Sequence, residues 1–386
     1  MNKSEVIDKE GLNRLIQILI GRGYEVVGPT VRDEAIIYDQ VFSIEDFPAG
    51  WTDEQEGGIY RLKKRSDEAL FGYNLGPHSW KKFLHPPERK LWQAQKEGLD
   101  FDIIPEKPEH KKYAFLGARS CELHAVAIQD KVFMQGTHTD LHYQALRKNA
   151  LFVAVNCGQA ASTCFCVSMQ TGPEVENGHD LVLTEVLDDK RHDFLIEAES
   201  EAGKNILKEV KAKPAGEGDI KKTKEIIANT ATQMGRKMDT ENIKELLYEN
   251  LNHLNWDKIA ERCLSCANCT MVCPTCFCST VEDVTDITGE HAERWQKWDS
   301  CFTMDFSSIH GGVVRNSTKS RYRQWMVHKL ASWQDQFDTS GCVGCGRCIT
   351  WCPVGIDLTQ EVGLIRKSEP GQSGILSGNE GQNENS

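Results

Sequence analysis

Apolar positions in the first half of the chain alternate between helical and strand periods. Leu12, Leu15, Ile16 and Leu19 recur at the steps of an amphipathic helix, and Gly21 and Gly23 end it. Short apolar or alternating runs at 25–27, 35–38, 59–62 and 70–73, each bounded by Gly, Pro or Asp, predict strands. Stronger strands are predicted at 113–116 and 151–155, and another at 194–197. The first of these leads into a helical pattern over 121–133. The polar, Gly- and Pro-rich stretch 211–219 predicts a linker. Beyond it the pattern is helical at 226–234 and 243–254, and again where Tyr322, Trp325, Met326, Leu330 and Trp333 form a stripe. From Lys367 onward Gly, Ser, Asn, Gln and Glu dominate, which predicts disorder. The fold class is therefore α+β: an α/β domain over 1–215, a mostly helical domain over 220–366, and a disordered tail over 367–386.

The helical half carries the most informative chemistry. Cys263, Cys266, Cys269 and Cys273 are followed by Pro274, and Cys342, Cys345, Cys348 and Cys352 by Pro353. Both strings have the bacterial ferredoxin spacing, in which three close thiolates hold one 4Fe–4S cluster and the fourth reaches the other. One copy is compatible with a zinc knuckle, but two copies, each ending in Cys-Pro, point to a cluster pair. The predicted ligands are Cys263, Cys266, Cys269 and Cys352 for cluster 1, and Cys342, Cys345, Cys348 and Cys273 for cluster 2. Residues 274–341 separate the strings, far more than a compact ferredoxin needs, which predicts a helical dicluster domain of the kind found in larger oxidoreductases.

Charge and composition narrow the class. Asp+Glu number 57 against Lys+Arg 45, a net charge of -12, which argues against general nucleic-acid binding. No apolar run approaches the length of a membrane span, and the polar start of the chain shows no export signal. Fifteen cysteines in such a chain read as metal or redox ligands in the cytoplasm rather than as disulfides.

Eight cysteines fill two clusters, leaving Cys121, Cys157, Cys164, Cys166, Cys276, Cys278 and Cys301. If the strands at 113–116 and 151–155 are parallel, Cys121 and Cys157 sit on the C-terminal rim of one sheet, where open α/β sheets place their sites. Cys164 and Cys166 are near enough in sequence to join them. These four make a possible third 4Fe–4S site, set against the alternative of inert buried thiols. Thr163-Cys-Phe-Cys166 recurs as Thr275-Cys-Phe-Cys278, yet Cys276, Cys278 and Cys301 are read as packing near the clusters. Gly344 and Gly346 are expected to let backbone approach sulfide. Lys319, Arg321, Arg323 and Lys329 read as a solvated helix face, with partner docking the sharper alternative.

Several segments together resemble a known family across nearly the whole length. They are Gly117-Ala-Arg-Ser-Cys-Glu-Leu123, Asn156-Cys157, Thr163 through Pro173, Cys273 through Cys278, Trp298-Asp-Ser-Cys301, Arg321-Tyr-Arg323 and Cys342 through Cys348. In these the chain resembles the iron–sulfur beta subunit of cytoplasmic nickel–iron hydrogenases of the sulfhydrogenase type. It also resembles the related iron–sulfur subunit of anaerobic sulfite reductases. The resemblance implies an electron-transfer component of an oxidoreductase complex, with no catalytic residue of its own. Its partners would be a flavin- and NAD(P)-binding subunit, together with either hydrogenase small and large subunits or a sirohaem subunit. Neither a nucleic acid nor a membrane is implied.

Motifs that would give the chain its own catalysis are missing. Gly21-Arg-Gly23 lacks the third glycine of a dinucleotide fingerprint, and no Walker A string occurs. Cys269, Cys273 and Cys276 match the spacing of radical S-adenosylmethionine enzymes, but they are nested inside a complete ferredoxin string without the βα repeats that chemistry uses.

Overall fold

The structure, a computed structural model, describes residues 4–367 apart from 75, 99 and 190; the predicted tail beyond Lys367 lies outside the described residues. Its strands are β1 (Glu5–Asp8), β2 (Glu25–Arg32), β3 (Ala35–Gln40), β4 (Trp51–Glu56), β5 (Ile59–Lys64), β6 (Glu88–Glu97), β7 (Asp100–Pro105), β8 (Tyr113–Ala118), β9 (Leu151–Val155), β10 (Leu181–Asp188), β11 (Arg191–Ala198), β12 (Lys213–Pro214), β13 (Ser279–Thr285) and β14 (His291–Trp298). An 8-stranded sheet runs in the order β12-β1-β11-β10-β9-β8-β2-β3. Its centre is parallel: β2 pairs with β8, β8 with β9, and β9 with β10. β8 and β9 are buried along their whole length, as unbroken apolar strands in a covered parallel sheet must be. The predicted parallel pairing holds, so Cys121 and Cys157 do follow strands that end on the same rim.

The N-terminal helix Lys9–Gly21 packs Leu12, Leu15, Ile16 and Leu19 under one face of this sheet. The helix Ser120–Met134 covers the other, together with Trp80 and Tyr143. At the end of β8 the ladder register shifts between Leu116 and Ala118. Gly117 lies there at φ 98°, and this break turns Arg119, Ser120 and Cys121 onto the rim.

Three expectations need correction. Residues 70–73 form no strand: the Leu70 and Phe71 N–H groups donate to the Glu185 carboxylate at 2.7 and 2.9 Å. The Phe71 and Tyr73 carbonyls accept from Arg119, so this backbone has side-chain partners instead of a ladder. The stretch 211–219 is not a free linker, because Lys213–Pro214 pairs with β1 and Glu217 already begins the helix Glu217–Thr232. The third concerns 220–366, where helices are interrupted by the β13–β14 hairpin, whose second strand pairs with β6 from the N-terminal half. The resulting 4-stranded sheet, β13-β14-β6-β7, ties the two halves together. The chain is thus an α+β protein with its cysteine strings in the C-terminal half.

Candidate metal centres

Both strings follow the same backbone path. Cys263 caps the helix Asn255–Arg262, and a loop with Ser265 and Ala267 at positive φ (52° and 67°) leads into the short helix Asn268–Met271 that carries Cys269. In the second string Gly344 and Gly346 occupy the equivalent positions at φ 63° and 76°, before the short helix Arg347–Thr350 that carries Cys348. The left-handed turns bend each loop around its thiols and aim N–H groups at sulfur. Ser265 N–H donates to Cys263 Sγ at 3.4 Å, Gly344 N–H to Cys342 Sγ at 3.5 Å, and Ile356 N–H to Cys352 Sγ at 3.3 Å.

The thiols gather as the ferredoxin spacing requires. Burial pushes the Cys269 thiol well above its ordinary range, and the nearby thiols of Cys263, Cys352 and Cys266 push it further. Burial does the same to Cys348, joined by Cys342, Cys345 and Cys273. Cys352 thus stands among the thiols of the first string, and Cys273 acts on both Cys348 and Cys269. A cavity lies between Cys263, Cys266, Cys269 and Cys352, with Cys348 also on its lining, and is walled by Leu264, Phe302, Tyr322, Trp325 and Ile356. Cys269 also stands among the neighbours of Cys348, so the two sets adjoin.

The N-terminal thiols converge as well. Burial raises Cys121, Cys157, Cys164 and Cys166; for Cys164 the result is about 12. Cys121 feels Cys345, Cys166 and Cys157, and Cys166 feels Cys157, Cys164 and Cys345. These four thiols occupy one place, next to Cys345 of the second string. Two buried side chains build it. Arg119 donates to the carbonyls of Asn156, Phe71 and Tyr73 and lies against the Cys157 thiol. Glu122 accepts from Tyr38, Trp80, the Arg119 N–H and, at 2.6 Å, the Arg347 guanidinium. Arg347 and Glu122 are 0% and 1% exposed, a buried ion pair that joins the rim of the parallel sheet to the second string.

Gly344 brings its N–H to a ligand sulfur as expected, and both glycines have a second reason. A Cβ at Gly344 would meet the Cys166 backbone at 2.7 Å, and one at Gly346 would meet the Thr163 carbonyl at 2.5 Å. The segment 163–166 presses directly on the second string. The first string uses Ser265 and Ala267 at the same two positions.

The basic run is also reassigned. Arg321 and Lys329 are buried, Lys319 pairs with Asp257 at 2.8 Å, and Arg323 donates to the Leu251 carbonyl. Lys329 Nζ reaches Cys273 Sγ at 3.2 Å, Thr275 Oγ1 at 3.0 Å and the Gly341 carbonyl at 3.0 Å. Burial by itself would push this ammonium down; the thiols of Cys273, Cys276 and Cys342 outweigh it and hold the pKa well above the ordinary lysine value. The signal for this site was present in the sequence, since residue 329 falls on the same helical face as Tyr322, Trp325, Met326 and Trp333. Trp325 and Trp333 are core residues.

The donor sets suit iron–sulfur cubes. Each is four thiols, buried or half-buried except for the exposed Cys266, and a cube needs no single convergence point because each thiolate takes its own iron. Among the described residues no three His, Cys, Asp or Glu side chains converge on a single-ion position.

Comparison with known proteins agrees. The family profile described as a 4Fe-4S dicluster domain matches residues 262–356, which contain both strings, so the protein is an iron–sulfur protein of the dicluster class. Sulfhydrogenase 2 subunit beta of Pyrococcus furiosus is 30% identical over 324 residues, covering 81% of this chain and 91% of that protein. The chain belongs to the family of sulfhydrogenase beta subunits. No solved structure matches it.

Proposed function

We propose that the chain is the electron-relay subunit of a cytoplasmic sulfhydrogenase. On one side it exchanges electrons with a subunit that binds flavin and NAD(P). On the other it meets the nickel–iron module formed by hydrogenase small and large subunits. Cys263, Cys266, Cys269 and Cys352 hold the first 4Fe–4S cluster, and Cys342, Cys345, Cys348 and Cys273 the second. Cys121, Cys157, Cys164 and Cys166 hold a third. The carrying observation is that the three thiol sets adjoin in series, through Cys345 on one side of the second set and Cys269 on the other.

Bound clusters supply one-electron transfer; the protein's part is to fix and tune them. The N–H groups of Ser265, Gly344 and Ile356 and the Lys329 ammonium donate to ligand sulfurs, which stabilises the reduced, more negative state. Burial of the thiols excludes water and favours the lower charge. The chain carries no catalytic residue in this scheme. The sulfhydrogenase relative favours a nickel–iron partner over a sirohaem one.

The test uses the whole complex purified without oxygen. Hydrogen should reduce the clusters of this chain. Substituting Cys345 with Ala should abolish hydrogen-driven NAD(P) reduction while leaving hydrogen-driven dye reduction at the nickel–iron module intact. Unimpaired NAD(P) reduction without the second cluster would refute the relay.

A further inference from the structure

Three cysteines remain outside the proposed cluster sets, and they are not spread through the core. β13 and β14 start from a common base where Ser279 pairs with Trp298, and the Asp299 N–H donates to the Cys278 carbonyl at 2.9 Å. This base brings Cys278 and Cys301 together: hydrogen bonds from the Cys301 side chain and backbone reach Cys278. Both thiols are half-buried. Cys276 stands apart from this pair, against Cys273.

The surroundings place the pair between two proposed clusters. Lys329, which donates to Cys273 of the second set, also acts on both Cys278 and Cys301. Cys269 of the first set acts on Cys301. The three proposed cluster sets have four thiols each, whereas this place has two thiols in mutual contact, with the Asp299 carboxylate beside Cys278.

We propose that Cys278 and Cys301 form a thiol–disulfide couple that stores two electrons beside the first and second clusters. The electron partners rest on the relay reading above; the pairing of the two thiols does not. On oxidation the Cys278 thiolate and the Cys301 thiol join in one S–S bond. Cys301 gives its proton to solvent, and two electrons leave singly into two oxidised 4Fe–4S clusters. Reduction reverses each step, with two reduced clusters giving one electron each. The contact suits this chemistry: the hydrogen bond from Cys301, then the Lys329 charge, offset burial and hold the Cys278 thiol down at about 7. A thiolate is the form that attacks sulfur.

The experiment takes the full-length, anaerobically purified protein, either reduced with dithionite or oxidised with thionine. Each sample is denatured directly into iodoacetamide and digested for mass spectrometry. The couple predicts a cross-linked peptide joining Cys278 to Cys301 in the oxidised sample, and alkylation of both in the reduced one. Cys301→Ser should remove the cross-link and leave the iron content unchanged. Alkylation of both thiols in both states would overturn the proposal. So would a loss of about four irons per chain in Cys278→Ser or Cys301→Ser, because the thiols would then be ligands of a further cluster. Iron in the untreated protein separates the two failures: about twelve irons without a cross-link sinks the couple alone, whereas zinc in place of iron sinks the relay.

Discussion

The two cysteine strings share a spacing and a loop path, but their surroundings differ sharply. The first faces outward: Cys266 is exposed and Leu264 is 64% exposed. The second is sealed against the N-terminal half, with Val343 and Arg347 buried and the segment 163–166 pressed onto its two glycines. One motif thus builds an exposed loop in one place and an enclosed one in the other, which in the proposed relay are its terminus and its middle. The spacing sets which iron each thiol takes, while the neighbours decide how a cluster communicates.

The largest effect separating the strings should come from the buried ion pair. Arg347→Met leaves Glu122 charged without its partner in the interior, and should cost about 3–5 kcal/mol in denaturant unfolding. Leu264→Ala in the first string, at a side chain 64% exposed, should stay within about 0.5 kcal/mol in the same assay, as surface changes usually do. Equal losses would mean that the second string is not the structural anchor.

The glycines give a reciprocal pair of variants. Gly346→Ala puts a Cβ 2.5 Å from the Thr163 carbonyl at a φ of 76° and should destabilise by about 3 kcal/mol, from overpacking plus left-handed strain. Ala267→Gly at the matching position of the first string should stabilise, by about 1 kcal/mol, because it relieves that strain at φ 67° without a clash. A destabilising Ala267→Gly would break the comparison.

Lys329 distinguishes the clusters electrically. Removing its charge with Lys329→Met should lower the potential of the second cluster by on the order of 100 mV, the effect of one unit charge several ångströms away at an effective dielectric near 20. The first cluster should shift far less. Electron paramagnetic resonance during a redox titration reads both, and equal shifts would show a general disturbance instead of a local charge effect. The smallest difference should appear in air: iron should leave the first cluster sooner than the second, because Cys266 is open to solvent.

Much of this was legible in the sequence because thiols announce their chemistry. The ferredoxin spacing alone leads to the proposed crossing of Cys273 and Cys352, and the placing of Cys121 and Cys157 followed from two apolar runs and the rule for parallel sheets. What escaped depends on neighbours distant in the chain. The strand predicted at 70–73 gave way because Glu185 and Arg119 take its backbone groups. The role of Gly344 and Gly346 needed the position of Thr163 and Cys166. Pairing of β14 with β6 could not be read from local periodicity, since it joins residues as far apart as Glu88 and Lys297. Lys329 was legible in principle, as a charge on an apolar stripe, but its partner Cys273 was not.

Iron, acid-labile sulfide and zinc per chain, measured on anaerobically purified protein, test the three-cluster relay most directly. The account predicts about twelve irons with matching sulfide, falling to about eight when Cys164 and Cys166 are both replaced by Ala. About eight irons in the unaltered protein and no change in the double variant would contradict the third cluster, and stoichiometric zinc with little iron would contradict the relay itself.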